Sequence, residues 1–146
     1  MKLENNIIHC FLDGSAKPNP GPCASACIFF VNGKEKEYSE YLGQGTNNVA
    51  ELHSFKLALS KLKVKDKKVI IYSDSNYSLG VLTKNWKAKV NVELINEIKE
   101  MIKEFKDISF CKVKGHSTNI YNNKVDKLVQ ECCSNGKKNS KIRKFL

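Results

Sequence analysis

Four acidic residues stand where predicted strands and helices begin or end: Asp13, Glu51, Asp74 and Asp126. Asp13 follows the apolar run 7–12, which indicates a buried strand that presents a carboxylate at its carboxyl end. Asp74 follows the apolar run 69–72, which is typical of a strand inside a parallel sheet. Parallel neighbours bring their carboxyl ends to one edge of a sheet, so we expect these two aspartates to lie together.

Glu51 belongs to a helix predicted over residues 49–62 from its apolar stripe. Asn47 or Asn48 is placed to cap this helix, and Glu51 lies in its first turn. Taken alone, an acid in that turn is explained by the helix dipole. Asp74 has a similar alternative explanation, as the cap of the helix that follows it.

Asp126 lies in the last predicted helix, next to an apolar stripe that includes Val125 and Val129. It therefore lies near the core, where a carboxylate costs desolvation free energy unless it has a partner. We interpret the four acids together as ligands of divalent metal ions that cut a nucleic-acid backbone. Gly14, directly after Asp13, leaves room for another backbone to approach.

The strands that position these acids form an antiparallel meander followed by further strands. Asn32-Gly33 is the strongest short hairpin signal, and it joins an apolar strand over residues 23–31 to a more polar edge strand over 34–42. With the first strand, these make three antiparallel strands. Residues 108–113 are predicted to form a further strand after the one that ends at Asp74.

Two more helices and a tail complete the predicted organisation. Asn91 is placed to cap an amphipathic helix. Asn135-Gly136 is predicted to end the last helix, because glycine commonly terminates helices. We therefore expect one α/β domain over residues 1–136 and a mobile basic tail over 137–146.

The composition is that of an ordinary globular chain of 146 residues with a net charge of +10. Such a charge suits a polyanionic partner, although it also serves solubility. Arg143 is the only arginine, and lysine contacts phosphates as a point charge, so nucleic-acid binding is expected to be independent of base sequence. An AT-rich genome would favour the same lysine bias.

The compartment is predicted from two absences and from the cysteines. There is no signal peptide and no apolar run of about 20 residues, so we expect no membrane association and an intracellular location, cytoplasmic or, in a eukaryote, nuclear. The six cysteines are interpreted as reduced thiols, mostly in the core. Cys23 and Cys27 have a metal-like spacing but fall on one strand, about 13 Å apart.

From Phe11 to about Cys133, the chain resembles ribonuclease H of type 1, the free-standing relative of the RNase H domain of reverse transcriptases. The motifs are Asp13-Gly14-Ser15 with Asn19-Pro20-Gly21, Thr46-Asn47-Asn48-x-Ala50-Glu51-Leu52, Ser73-Asp74-Ser75, Lys114-Gly115-His116 and Asn122-x-x-x-Asp126. Each motif is weak alone, whereas the ordered set is specific. The resemblance implies an RNase H-like fold, with a five-stranded mixed sheet of three antiparallel and then two parallel strands, and helices on both faces.

The same resemblance implies an endonuclease that hydrolyses the RNA strand of RNA/DNA hybrids by a two-metal-ion mechanism. The products would carry 5′-phosphate and 3′-hydroxyl ends. Two Mg²⁺ ions, or Mn²⁺ in their place, would be bound by Asp13, Glu51, Asp74 and Asp126, a set of oxygen ligands that does not favour zinc. His116 would assist proton transfer or product departure; without its motif, it would be an ordinary surface histidine.

The residues that the resemblance implies in substrate binding are Gly14, Ser15, Asn19, Thr46, Asn47, Asn48, Trp86 and Asn91. The backbone near Gly14 and Ser15 would read the 2′-hydroxyls of the RNA strand, and Asn19, Asn47 and Asn48 would contact the hybrid. Thr46 and Asn91 would form a phosphate pocket for the DNA strand. Trp86 would either pack on the core or stack against a nucleotide. We expect a monomer that binds hybrids without sequence preference.

Two departures from the family pattern bear on activity, and two alternatives remain. Only residues 87–90 separate Trp86 from Asn91, where many relatives carry a longer basic protrusion, so binding is expected to be weaker. Thr118 stands where glycine is common, which predicts a stiffer loop and slower turnover. The alternatives are a DNA-cutting nuclease of the same superfamily and a non-catalytic hybrid-binding module. The asparagines disfavour the first, and the complete set of acids disfavours the second.

Overall fold

The computed structural model describes residues 2–114 and 119–143, with side chains described through residue 136. Its strands are β1 (Ile8–Ala16), β2 (Gly21–Val31), β3 (Lys34–Gly45), β4 (Lys68–Ser73) and β5 (Asp107–Lys112). Its helices are α1 (Asn47–Lys61), α2 (Asn76–Thr83), α3 (Val92–Lys103) and α4 (Ile120–Arg143). The strands form one sheet in the order β3-β2-β1-β4-β5.

The sheet is mixed, as predicted. β1, β2 and β3 are antiparallel neighbours, whereas β4 pairs in parallel with β1 on one side and β5 on the other. Asn32 and Gly33 form the two-residue turn between β2 and β3, with φ angles of 49° and 81°. Both residues adopt the positive φ that this hairpin turn requires, which asparagine and glycine tolerate best. The prediction of three antiparallel and then two parallel strands is confirmed.

Helices cover both faces of the sheet, and each face has its own core. On one face, α1, α2 and α3 pack against strand residues such as Leu12. On the other face, α4 packs Val125 and Val129 against Phe11. Because strand residues alternate between faces, Asp13 lies on the same face as Phe11, toward α4. None of the helices within the described ranges is both long and apolar enough to span a membrane.

The end of β1 differs from the prediction. The strand continues beyond Asp13 to Ala16, because its antiparallel pairing with β2 runs on to the pair formed by Ala16 and Cys23. Its parallel pairing with β4, however, stops at Phe11 and Tyr72. Asp13 therefore lies just past the end of the parallel contact, at an edge of the sheet, although it does not end its own strand.

The start of α1 also differs. Thr46 caps this helix, since its Oγ1 accepts the N–H of Val49 at 3.2 Å; the predicted caps, Asn47 and Asn48, are the first helical residues. The first turn of α1 contains no acidic residue, so Glu51 lies deeper in the helix than predicted. The helix dipole, which acts within the first turn, does not explain Glu51.

The predicted helix end at Asn135-Gly136 is wrong, because α4 continues to Arg143. Gly136 serves packing instead: a Cβ at this position would lie 2.1 Å from the ring of Tyr41 on β3. Only glycine lets the helix backbone approach the ring so closely. The separation of a tail after residue 136, with a role of its own, stays a prediction.

All six cysteines are free thiols. Cys10, Cys23, Cys27 and Cys133 are buried, in agreement with the predicted core positions. Cys23 and Cys27 both lie on β2, so the predicted strand placement of this metal-like pair is confirmed.

Candidate active site

A polar cleft at the edge of the sheet brings the four predicted acids together. It has a volume of about 230 Å³ and lies where β1 runs past the end of its pairing with β4. Besides the acids, the residues that line it include Gly14, Ser15, Lys17, Asn47, Asn122 and Gln130. One acid comes from β1, one from α1, one from the β4–α2 junction and one from α4.

Asp13 and Asp74 reach the cleft from neighbouring parallel strands. The register pairs Phe11 with Tyr72. Asp13 follows two residues later on β1, and Asp74 follows two residues after Tyr72, just past the end of β4. The two carboxyl groups are close enough that the charge of Asp74 raises the pKa of Asp13. The structure thus brings these two acids together as the parallel-strand rule predicts.

Gly14 brings Glu51 against β1. A Cβ on Gly14 would lie 2.1 Å from the carbonyl oxygen of Ala50 and 2.5 Å from the backbone nitrogen of Glu51. Ser25 on β2 holds the same point of α1 by donating its hydroxyl to the Ala50 carbonyl at 2.6 Å. The close backbone approach predicted from the glycine after Asp13 is therefore confirmed, and the approaching backbone is that of the helix that carries Glu51.

Asp126 reaches the cleft from the face that α4 covers. Val125 and Val129 are fully buried beside it, so it stands at the boundary of the core, as its sequence position predicts. Its carboxyl lies close enough to Asp13 to raise the pKa of that residue. Gln130, which was not predicted as a site residue, donates its Nε2 to Asp126 Oδ1 at 3.5 Å. The spacing of four residues on one helix is the signal that would have revealed it.

The pKa of Asp13 is raised to about 8. Burial is the largest cause, followed by the charge of Asp74 and by the hydrogen bond and charge of Asp126. The Gly14 N–H opposes this effect by donating to Asp13 Oδ1 at 2.9 Å. With a pKa of about 8, Asp13 keeps its proton at neutral pH when no cation is bound.

The pKa of Glu51 is also raised. Burial is again the largest cause, and the charge of Asp74 adds to it, while a hydrogen bond from Ser75 and the positive charge of Lys112 act in the opposite direction. The raised pKa values of Asp13 and Glu51 are those expected of carboxyl groups that are buried and lie near other acids.

Ser75 and Lys112 complete the β4–α2 junction, and neither was predicted as a site residue. Ser75 Oγ donates to Glu51 Oε2, and Lys112 Nζ donates to the backbone carbonyl of Asp74. Ser75, not Asp74, caps α2, since its Oγ accepts the N–H of Ser78 at 3.1 Å. No sequence signal identifies Lys112, because the β4–β5 register alone brings it beside this junction.

The donor set suits Mg²⁺ or Mn²⁺ in kind, because all four groups are carboxylates, which such hard cations prefer. The pKa of Asp13 is raised first by burial and then by the charges of Asp74 and Asp126, and a cation in the cleft would relieve the repulsion among these charges. Over residues 2–114 and 119–143, no three His, Cys, Asp or Glu side chains are arranged so that they could hold one metal ion together. Mg²⁺ is commonly held by one or two carboxylates together with water, so it does not need three protein ligands at one point.

Two of the predicted substrate-binding asparagines form hydrogen bonds with the backbone at the rim of the cleft. Asn47 Oδ1 accepts the N–H of Ala16 at 2.7 Å, and Asn19 Oδ1 accepts the N–H of Asn47 at 3.0 Å. Both side-chain oxygens are thus used within the protein. This orients the two side-chain NH₂ groups as the donors available to a bound molecule.

A second pocket, of about 520 Å³, is lined in part by Asn19. Thr46, Asn48, Val90 and Asn91 line it, so the two residues predicted to form a phosphate pocket do lie together. Asn91 occupies the cap position of α3 with a φ of 60°, but its side chain makes no capping hydrogen bond, contrary to the prediction.

Trp86 packs partly on the protein and partly faces solvent. Its ring lies so close to Gly80 on α2 that a Cβ there would be 2.0 Å away, yet the residue remains 50% exposed. Lys84 Nζ lies 5.9 Å from the ring centroid. The remaining predicted residue, His116, and the nearby Thr118 lie outside the residues that the structure describes.

Comparison with other sequences places this arrangement among known proteins. The family model for RNase H matches residues 5–134. Ribonuclease H of Caldanaerobacter subterraneus subsp. tengcongensis is 35% identical over 145 residues, which cover 90% of this chain and 94% of that protein. Ribonuclease H of Chlorobium phaeobacteroides is 32% identical over 149 residues, which cover 92% of this chain and 100% of that protein.

Solved structures of similar fold include those of an RNase H1. The structure of LC11-RNase H1, isolated from compost by a metagenomic approach, has a TM-score of 0.78 and 27% identity, covering 90% of this chain and 98% of that chain. A structure of LC11-RNase H1 in complex with an RNA/DNA hybrid has a TM-score of 0.77 and 27% identity, covering 88% and 98%.

Proposed function

The chain belongs to the ribonuclease H family, and from this premise we propose that it is an endonuclease that hydrolyses the RNA strand of RNA/DNA hybrids. The observation that carries the proposal is the cleft in which Asp13, Glu51, Asp74 and Asp126 meet. The hybrid-bound structure of LC11-RNase H1 supports the choice of substrate. The nearly arginine-free basic charge supports binding through phosphates, without sequence preference.

The proposed cofactor is a pair of Mg²⁺ ions, with Mn²⁺ as a substitute, held by the four carboxylates. When bound, these ions would supply an activated water molecule and stabilise charge on the scissile phosphate, so that the RNA ends as a 5′-phosphate and a 3′-hydroxyl. Asp13, whose pKa is raised to about 8, has to lose its proton before its carboxylate can act as a ligand.

The neighbouring groups of the protein hold the carboxylates for this role. The Gly14 N–H binds Asp13 Oδ1, and Gln130 binds Asp126 from one turn further along α4. Lys112 binds the backbone at Asp74 and adds positive charge to the cleft. Its charge favours the ionised form of Glu51 and would attract an incoming phosphate.

Substrate selection is proposed to divide between the cleft and the second pocket. The NH₂ groups of Asn19 and Asn47 and the backbone around Ser15 would donate to the RNA strand, where the 2′-hydroxyl distinguishes RNA from DNA. Thr46 and Asn91 would hold a phosphate of the DNA strand. Asn48 lines the same pocket and would assist there.

Three further roles belong to the proposal. The partly exposed ring of Trp86 would stack against a nucleotide at the periphery of the hybrid. His116 would assist proton transfer or product departure, on the strength of its motif. We further propose that the protein acts as a monomer inside the cell, in the cytoplasm or, in a eukaryote, the nucleus.

The proposal is tested by cleavage of three duplexes of one sequence: an RNA/DNA hybrid, double-stranded DNA and double-stranded RNA. Each is labelled and incubated with increasing Mg²⁺, and the product ends are assigned by their response to phosphatase. We expect cleavage of the RNA strand of the hybrid alone. Asp13→Asn should lower its rate by more than ~100-fold, whereas Asp66→Asn, at an exposed loop position, should leave the rate unchanged.

The alternatives give different results in the same assay. Equal cleavage of double-stranded DNA would identify a DNA-cutting nuclease of the superfamily. Tight hybrid binding without cleavage at any Mg²⁺ or Mn²⁺ concentration would identify a binding module, and either result would overturn the proposal.

A further inference from the structure

The hydroxyl of Ser75 joins a carboxylate of the cleft to the start of α2. Ser75 Oγ contacts Glu51 Oε2, the N–H of Ser78 at 3.1 Å and the hydroxyl of Ser78 at 3.0 Å. A serine hydroxyl has one proton to donate and two lone pairs to accept with. Glu51 accepts the proton of Ser75, so both Ser78 groups donate to Ser75.

All three hydrogen-bonding positions of this hydroxyl are therefore filled, and its single proton is directed at Glu51. Ser75 is 6% exposed and Ser78 is 0% exposed, so water competes poorly for these bonds. In such a shielded place an unmade hydrogen bond is costly, which fixes the orientation of the group. The backbone adds to this, since the N–H of Ser75 binds Ser73 Oγ at 3.1 Å.

We propose that Ser75 is a positioning residue for Glu51, an inference that rests on the proposed function. Its hydroxyl holds Oε2 of the carboxylate, so that Glu51 would already be oriented when a divalent cation binds in the cleft. The orientation of Glu51 is thereby tied to the cap of α2 and to the chain segment that carries Asp74. Groups that orient a ligand in this way commonly affect metal affinity by about 10–100-fold.

The cap and the hydrogen bond to Glu51 can be separated by substitution. Glycine replaces a serine cap at a cost of only a few tenths of a kcal/mol but has no hydroxyl, whereas threonine keeps both the cap and the donor. We expect Ser75→Gly to weaken Mg²⁺ binding about 10-fold, measured by titration calorimetry of the full chain with Mg²⁺ alone. Ser75→Thr should bind Mg²⁺ nearly as wild type does.

A matched control is Ser60→Ala, which removes an exposed hydroxyl that donates to the Leu57 carbonyl on α1 at 2.7 Å. It should leave Mg²⁺ affinity unchanged. Thermal melting of each variant separates affinity from folding. If Ser75→Gly melts much earlier, Ser78→Ala serves as the second variant; it leaves the Ser75 donor in place but frees it to turn, so Mg²⁺ binding should weaken by a smaller factor.

A further readout is hybrid cleavage at rising Mg²⁺. Excess Mg²⁺ should restore the turnover of Ser75→Gly, because the missing hydroxyl acts through metal binding. An unchanged or tighter Mg²⁺ dissociation constant for Ser75→Gly would overturn the inference while leaving the proposed function intact. A wild-type protein that neither binds Mg²⁺ nor cleaves the hybrid would overturn the proposed function, and the inference with it.

Discussion

Asp13 is the residue at which the requirements of fold and site conflict most. Its neighbours on β1 are buried, and the strand carries it to a place where Asp74 and Asp126 also lie. Burial and these two acids together raise its pKa to about 8. A carboxyl group in this position lowers the stability of the fold. Its presence is therefore better explained by a functional site than by packing.

The pH dependence of folding should reveal this cost. The pKa of Asp13 is raised in the folded protein from its ordinary 3.8 to about 8, so the folded state holds the proton more tightly. The resulting stabilisation is complete below the lower value and is lost as pH rises toward the higher one. With divalent ions chelated, urea unfolding at about pH 5 and about pH 8 should show wild type losing more stability than Asp13→Asn, which cannot titrate.

The matched control for this measurement is the exposed Asp66→Asn, which should follow wild type at both pH values. If wild type and Asp13→Asn lost the same unfolding free energy between the two pH values, the raised pKa of Asp13 would have to be abandoned.

His116 offers a second prediction at this scale. The histidine is expected to assist the reaction without binding metal, so His116→Ala should lower the turnover number and leave the Mg²⁺ dissociation constant nearly unchanged. Calorimetric titration with Mg²⁺ and cleavage at saturating hybrid measure the two quantities separately. Asp74→Asn provides the contrast, because it should lose both. A loss of Mg²⁺ affinity in His116→Ala as severe as in Asp74→Asn would make the histidine a ligand.

Among the secondary-structure elements, those with strong local signals are the ones that sequence predicts well. The Asn32-Gly33 hairpin, the apolar run of β4 and the stripe of α3 each carry their own pattern, and each lies where predicted. Element ends were less predictable. Thr46 was overlooked as the cap of α1 because Asn47 beside it is an equally good cap by type, and its side chain is used instead to bind β1.

Gly136 shows the same limit more clearly. A glycine after an asparagine near the end of an apolar stripe commonly ends a helix. Here the glycine lies inside α4, and its missing side chain makes room for the ring of Tyr41. Gly80 in α2 makes room for Trp86 in the same manner. The sequence cannot distinguish the two uses of glycine, because the ring that requires the space is distant along the chain.

Gly136→Ala should therefore destabilise the protein. Inside a helix, this change normally stabilises by about 1 kcal/mol, but the added Cβ would meet the Tyr41 ring at 2.1 Å, and overpacking costs about 1–3 kcal/mol. We expect a net loss of up to about 2 kcal/mol in the free energy of unfolding, measured with urea.

A double-mutant cycle isolates the cause. In a Tyr41→Ala background the ring is gone, so Gly136→Ala should become neutral or stabilising. If Gly136→Ala stabilised the protein in both backgrounds, the packing explanation for this glycine would be wrong.

At the scale of the whole molecule, the candidate site could be predicted only in part. The meeting of Asp13 with Asp74 follows from the parallel-strand rule, which needs no knowledge of distant packing. The contact between Asp13 and Asp126 depends on how α4 lies across the sheet, and no local pattern gives that. Ser75 and Lys112 were missed for the same reason, since their roles exist only when β4, β5 and α1 are assembled.

Charge is the other property of the whole molecule that bears on function. The net charge is +10, and only residues 87–90 separate Trp86 from Asn91. The last ten residues carry Lys137, Lys138, Lys141, Arg143 and Lys144 and no acid. The backbone of α4 continues into this segment as far as Arg143, so these charges are joined to the helix that carries Asp126.

We expect this terminal charge to supply part of the affinity for the hybrid. Deleting residues 137–146 should raise the Michaelis constant and flatten the dependence of log affinity on log salt, because each lost phosphate contact removes about 0.9 from the slope on duplex DNA. Cleavage at saturating hybrid should stay near wild type, since none of the candidate ligands lies in the segment. A full-length chain with the five basic residues changed to glutamine separates charge from helix length. An unchanged slope in both variants would mean that the terminal charge makes no contact with the substrate.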